Sequence, residues 1–177
     1  MKPTTPTTEP APAAAPAAPT GAALQRAADI GSLGLSGVAA LYVLLSIGAG
    51  LAFQPRQLPG GDVLHRIGFV AASAIDLRIG LTLVVAAVLG AAGMHLGGSS
   101  RSTARTAGFL TLVAAAFTAA LAVLAVRVQY HQLDMRNTSP TTAFHLSQAT
   151  YVVGSIGPAI IAGIVAAGPV LGLGRHR

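Results

Sequence analysis

A chain of 177 residues that is 53% hydrophobic and only 9% charged, with a mean hydropathy of +0.66, falls outside the soluble globular class, in which about a quarter of residues are charged. Its net charge of +6 comes from arginines spaced thinly between apolar runs, which argues against the continuous basic stripe that binds nucleic acid and suits loops that touch anionic lipid. The lack of cysteine excludes disulfides, thiolate metal centres and cysteine nucleophiles.

Residues 1–21 form the first unit. They hold six of the eleven prolines in a Thr/Ala background, with prolines where a secretory signal would need its apolar segment, so the expectation is a retained, disordered Pro/Ala/Thr-rich tail. From residue 22 to 177 the pattern predicts an all-α, four-helix transmembrane bundle, with helices at about 22–53, 63–97, 103–136 and 142–172. The first span carries Ser32, Ser36 and Ala40 at four-residue spacing. Small side chains in such a ladder let a neighbouring backbone approach closely, which is how helices associate in lipid. The stretch 54–66 contains Pro55, Pro59, Gly60 and Gly61 and reads as a loop.

The second span holds the uncharged run 79–96, headed by Asp76 and Arg78, the one charged pair that touches such a run. Two helical steps turn about 200°, so on a continuous helix the two charges face nearly opposite ways and cannot neutralise each other. Counting back about 20 residues from Gly97 places them at the edge of a hydrocarbon core about 30 Å thick. The short loop 98–105 carries Arg101 and Arg105 without an acid, and the positive-inside rule puts it, with both termini, in the cytoplasm. The third span, nearly all Ala, Leu and Val, repeats the small-residue ladder at Thr111, Ala115 and Ala119. It continues into RVQYHQLDMR, a segment of good helix formers that extends the helix out of the membrane as far as Asn137. The fourth span has a cap candidate at Thr141 or Thr142 and an interior Pro158 expected to kink it.

In this topology His65, Asp76, Arg78, Tyr130, His131, Asp134, Arg136, His145 and Gln148 share the outer side. His131 and Asp134 are three apart and so lie on one helical face, with His145 placed to meet them from the next helix. The candidate binding or ion-pair residues are therefore Asp76, Arg78, His131, Asp134 and His145. Metal motifs are absent and no cofactor is expected. There is no GxSxG, HExxH or Walker-type loop, and the acids are too few for paired-carboxylate chemistry, so no enzyme is expected. The Arg/Ala/Gly/Val bias is that of a GC-rich bacterial genome and points to a bacterial plasma membrane. The function expected is that of a non-enzymatic accessory or self-associating component. Its partners would be the bilayer and, through small-residue helix faces, itself or other membrane proteins, with no nucleic acid. The alternative is a small transporter or a ligand- or cofactor-binding protein using Asp76, Arg78 and the outer histidines.

Overall fold

The computed structural model describes residues 21–52, 62–95 and 101–172, and the expected N-terminal tail lies outside them. Five helices follow in chain order: α1 (Gly21–Ala52), α2 (Val63–Ala74), α3 (Leu77–His95), α4 (Arg101–Met135) and α5 (Thr142–Leu171). The fold is all-helical. Helices α1, α3, α4 and α5 are long and apolar enough to cross a membrane, which is compatible with a multi-pass membrane protein. At about 1.5 Å per residue α3 is about 28 Å long, close to the hydrocarbon thickness, whereas α1, α4 and α5 exceed it by 15 Å or more.

Helix α5 packs on α3 and α4, and α1 packs on the other side of the same two helices. A first core cluster draws Ala39, Leu83, Ala87, Ala114, Ala115, Ala159, Ala162 and Ala166 from all four spanning helices. Such a core of alanines is a close-approach core. Lipid is as apolar as the interior, so helices gain by bringing backbones near enough for dispersion and hydrogen bonds and gain little from burying bulk. The two small-residue ladders are used in this way. Ser32 Oγ donates to the Ala86 carbonyl of α3 at 2.9 Å, and the Ser36 and Thr111 hydroxyls share a 2.7 Å hydrogen bond between α1 and α4. The ladders therefore spend themselves inside the bundle.

The second span differs from the single helix expected over 63–97. It is two helices, α2 and α3, broken at Ile75–Asp76, where Ile75 adopts an extended backbone (φ −88°, ψ 115°). Four backbone groups at the break have identified partners. The Ile75 amide reaches back to the Ala71 carbonyl, Tyr42 Oη of α1 donates to the Ala74 carbonyl at 2.9 Å, and the Asp76 carboxylate accepts the Arg78 and Ile79 amides at 3.0 and 3.4 Å. That last arrangement makes Asp76 the N-cap of α3, a favoured place for an aspartate because its side chain satisfies amides that have no intrahelical acceptor.

The break lets α2 leave the line of α3 and lie against α1 and α4. A second core cluster forms beneath it from Val43, Ile67, Ala71, Ile75, Leu121, Ala122 and Ala125. Two glycines permit this docking. A Cβ on Gly50 would stand 2.6 Å from the Ile67 Cα, and one on Gly68 would stand 2.8 Å from the Leu124 carbonyl oxygen.

Both ends of the α4–α5 connection are capped. Asn137 (φ 50°) closes α4, with the Asn137 amide on the Asp134 carbonyl and the Thr138 amide on the Leu133 carbonyl. This is the left-handed termination that asparagine tolerates better than most residues. Thr141 caps α5 by accepting the Phe144 amide at 3.2 Å. Helix α5 then runs through Pro158 without interruption, and the proline ring occupies the space that a side chain at Gly80 of α3 would need.

Candidate functional site

The polar side chains gather at the α2 end of the bundle, where α4 and the start of α5 extend past the apolar runs. Arg105 and Arg127 bracket the uncharged stretch of α4; 22 residues at about 1.5 Å each give about 33 Å, a bilayer core's thickness. Everything on α4 beyond Arg127 is thus level with headgroups. Ile75 packs with Leu121, Ala122 and Ala125, which sets the α2–α3 break within about two turns, or 11 Å, of that boundary.

Asp76 and Arg78 do touch, contrary to the opposite-face geometry expected of them. Asp76 stands before the helix rather than on it, and its Oδ2 comes to 3.9 Å from Arg78 Nε. The pair does not enter a polar cavity: the Arg78 side chain is 93% exposed and that of Asp76 53%. An exposed guanidinium this near the boundary extends its long stem to reach headgroups, and an exposed pair at such a distance adds little to stability. The work of Asp76 is the cap. Asp76→Asn, which retains a capping oxygen, is expected to leave thermal stability in detergent unchanged within a few tenths of a kcal/mol, whereas Asp76→Ala lowers it by about 1 kcal/mol. Thermal or denaturant unfolding of the two variants checks this.

The structure does not assemble His131, Asp134 and His145. His131 of α4 meets His65 of α2 edge to face, ring centroids 5.3 Å apart. His145 of α5 instead pairs with Tyr130 of α4, whose Oη lies 2.8 Å from His145 Nδ1. Asp134 is exposed on the far turn of α4. Among the described residues no three His, Cys, Asp or Glu side chains converge as a metal site would require.

The histidine pair ties α2 to α4, and burial is the main reason the His65 imidazole has a pKa below its ordinary range. The positive charge that His131 can carry acts in the same direction, and Asp62 opposes both. A histidine with a depressed pKa in the folded state binds fewer protons there than when unfolded. Stability is therefore undiminished above the ordinary imidazole value of about 6.5 and falls as pH drops through it, until the folded-state group also protonates. The melting temperature of the protein in detergent is expected to be lower at pH 5.5 than at pH 8, and His65→Gln should shrink that difference. Equal pH dependence in both proteins would contradict the coupling.

Beside the histidines, α2, α4 and α5 enclose a groove of about 450 Å³, lined in part by Phe69, Gln129, Gln132, Leu133, Arg136 and Phe144. The groove exists because α2 docks on α1 and α4 and leaves a gap to α5. Phe144 stacks edge to face on Tyr130 at 5.1 Å. Gln148, buried behind the wall, donates its amide to the Gln129 side-chain oxygen. Of the groove residues only Arg136 was among the polar outer-side set read from the sequence. A signal for the others was present: Gln129, Gln132 and Arg136 recur at spacings of three and four, which puts them on one helical face.

Compared with known protein families, curated proteins and solved structures, the chain matches none of them.

Proposed function

We propose that this protein is a non-enzymatic, multi-pass accessory component of a bacterial plasma membrane that acts by assembly, with itself or with other membrane proteins. One observation supports this reading above the rest. Among the described residues, every buried polar side chain is Ser, Thr or Gln, and no carboxylate, histidine, lysine or arginine is buried in the four spans, where the half-buried Tyr151 beside the second core cluster is the one titratable side chain packed against the core. Ion and proton paths, and most catalytic chemistry, need titratable groups inside the bundle. The charged pair Asp76–Arg78, which a transporter would turn inward, serves as a helix cap on the bundle surface. An interior of this composition supports a structural role for the membrane part.

Purification in a mild detergent, with the mass of the protein–detergent particle measured by light scattering and the co-purifying proteins identified, tests the proposal. The expected result is a homo-oligomer or a stoichiometric complex. A lone monomer that moves an ion or solute in vesicles would overturn it.

The orientation that goes with this reading has both termini in the cytoplasm. It is supported by the arginines of the 98–105 segment and of the C-terminal GRHR. The chain has no cysteine of its own, so single cysteines at Ser99 and Ser139 are clean reporters. Ser139→Cys is expected to react with a membrane-impermeant maleimide added outside intact cells, and Ser99→Cys only after lysis. Labelling of both from outside would refute the four-span topology.

A further inference from the structure

We propose that the groove between α2, α4 and α5 is a binding site for an anionic phospholipid of the surrounding membrane. The argument begins with the depth of its walls. Gly68 of α2 lies against Leu124 and Val128 of α4, and His65 lies against His131, so α2 and α4 run antiparallel. Ala72, one turn of α2 further in than Gly68 and packed against the cluster of Leu121, Ala122 and Ala125, therefore marks the deep end of the groove, inside the level of Arg127. Gln132 and Arg136 mark the far end, about 7 and 13 Å beyond Arg127 at 1.5 Å per residue. The groove thus crosses the boundary between acyl chains and headgroups.

Its chemistry changes along that axis in the sense a lipid requires. Phe69, Ala72 and Val128 supply apolar walls at the deep end, with Ser73 beside them, and Gln129, Gln132 and Arg136 supply the polar groups toward the far end, where Phe144 and Leu133 complete the wall. Arg136 is the one ionised residue in the lining. The acids at this end of the protein, Asp62, Asp76 and Asp134, are exposed and do not line the groove, so the charge within it favours an anion. A guanidinium offers a phosphate paired donors in a planar fork. A volume of about 450 Å³ lies within the range for ligand sites and has room for one segment of a lipid, a headgroup with the start of a chain. A cation at the headgroup end and the apolar wall of Phe69, Ala72 and Val128 at the deep end are complementary to a membrane amphiphile.

The chain contains no tryptophan, so Phe144→Trp installs a single fluorophore in the groove wall. The protein is reconstituted into vesicles of phosphatidylcholine and phosphatidylglycerol in equal parts, with bromine carried on the acyl chains of one lipid or the other. The expected result is quenching that reports about a fivefold preference for phosphatidylglycerol at the groove, the effect of one arginine acting on one anionic headgroup. Arg136→Gln in the same background should bring that preference to about unity. Leu51→Trp, on the exposed outer part of α1, reports ordinary surrounding lipid and should show no such preference. Phe69→Trp repeats the measurement from α2 should Phe144→Trp fold poorly. Equal quenching by the two lipids, a preference that survives Arg136→Gln, the same preference at Leu51→Trp, or reversal by millimolar inorganic phosphate would each overturn the assignment. None of these outcomes depends on whether the protein self-associates.

Discussion

Leu83→Asp should leave little assembled protein in the membrane. Leu83 lies nearly two turns into α3 (Leu77–His95) with none of its surface exposed, among Ala39, Ala87, Ala114, Ala115 and Ala159. A carboxylate near the bilayer centre costs about 2.5–3.5 kcal/mol on the insertion scale. The core contacts of the leucine, worth about 2–5 kcal/mol when such a side chain is truncated, are lost as well. No cation lies in that interior to offset the charge, since the buried polar groups among the described residues are hydroxyls and an amide. A combined loss of about 5 kcal/mol or more is comparable with the whole stability of a typical domain. Membrane-fraction yield and resistance to unfolding in detergent measure the effect. Leu83→Ala, which loses the packing without adding the charge, separates the two contributions and should retain insertion. The contrast with Asp76 is the informative part: seven residues apart on the same span, one carboxylate is a cap at the boundary and the other would be an intruder.

Gly68→Leu is expected to detach α2 and leave the rest of the bundle standing. A Cβ at this position would lie 2.7 Å from Val128 Cγ2, 2.8 Å from the Leu124 oxygen and 3.0 Å from its carbon. Backbone cannot swing aside as a side-chain tip can, so α2 must move away from α4. Over-packing of this kind costs typically about 1–3 kcal/mol, and a leucine in place of a single methyl belongs at the upper end. The break at Ile75–Asp76 confines the damage, because α2 makes its contacts with α1 and α4 while α3 is held separately by α1, α4 and α5. Hydrogen exchange by mass spectrometry should show lost protection over Val63–Ala74 and retained protection over Leu77–His95, a local opening rather than global unfolding. Gly34→Leu, at a glycine with nothing within 4 Å of its Cβ position, is the matched control and should be silent. Uniform loss of protection across both helices in Gly68→Leu would mean that the second span behaves as one helix after all.

The number of helices able to cross a membrane, and the approximate ends of the first, third and fourth, were determined by the sequence alone, because an uncharged run of about 20 residues has few stable fates other than a membrane-crossing helix. The small-residue ladders at Ser32–Ser36 and Thr111–Ala115 were equally legible as close-packing faces, since spacing on a helix sets which residues share a side. A cap at Thr141 or Thr142 was legible too, and the structure chose Thr141, whose hydroxyl accepts the amide three residues on. The break at Ile75–Asp76 was not. Residues 71–80, AASAIDLRIG, contain no proline and a single glycine, so nothing local in them calls for a break. What interrupts the helix is tertiary: the Tyr42 hydroxyl of α1, 32 residues away, takes the Ala74 carbonyl, and Gly50 and Gly68 give α2 a better seat against α1 and α4 than the line of α3 would. The partners of the histidines were decided in the same way. Spacing could place His131 and Asp134 on one face, but the rotation of α4 against α2 and α5 joined His131 to His65 and His145 to Tyr130. The groove with Arg136 at its headgroup end follows from that packing, because a cavity is the space three helices leave between them and no one of their sequences contains it.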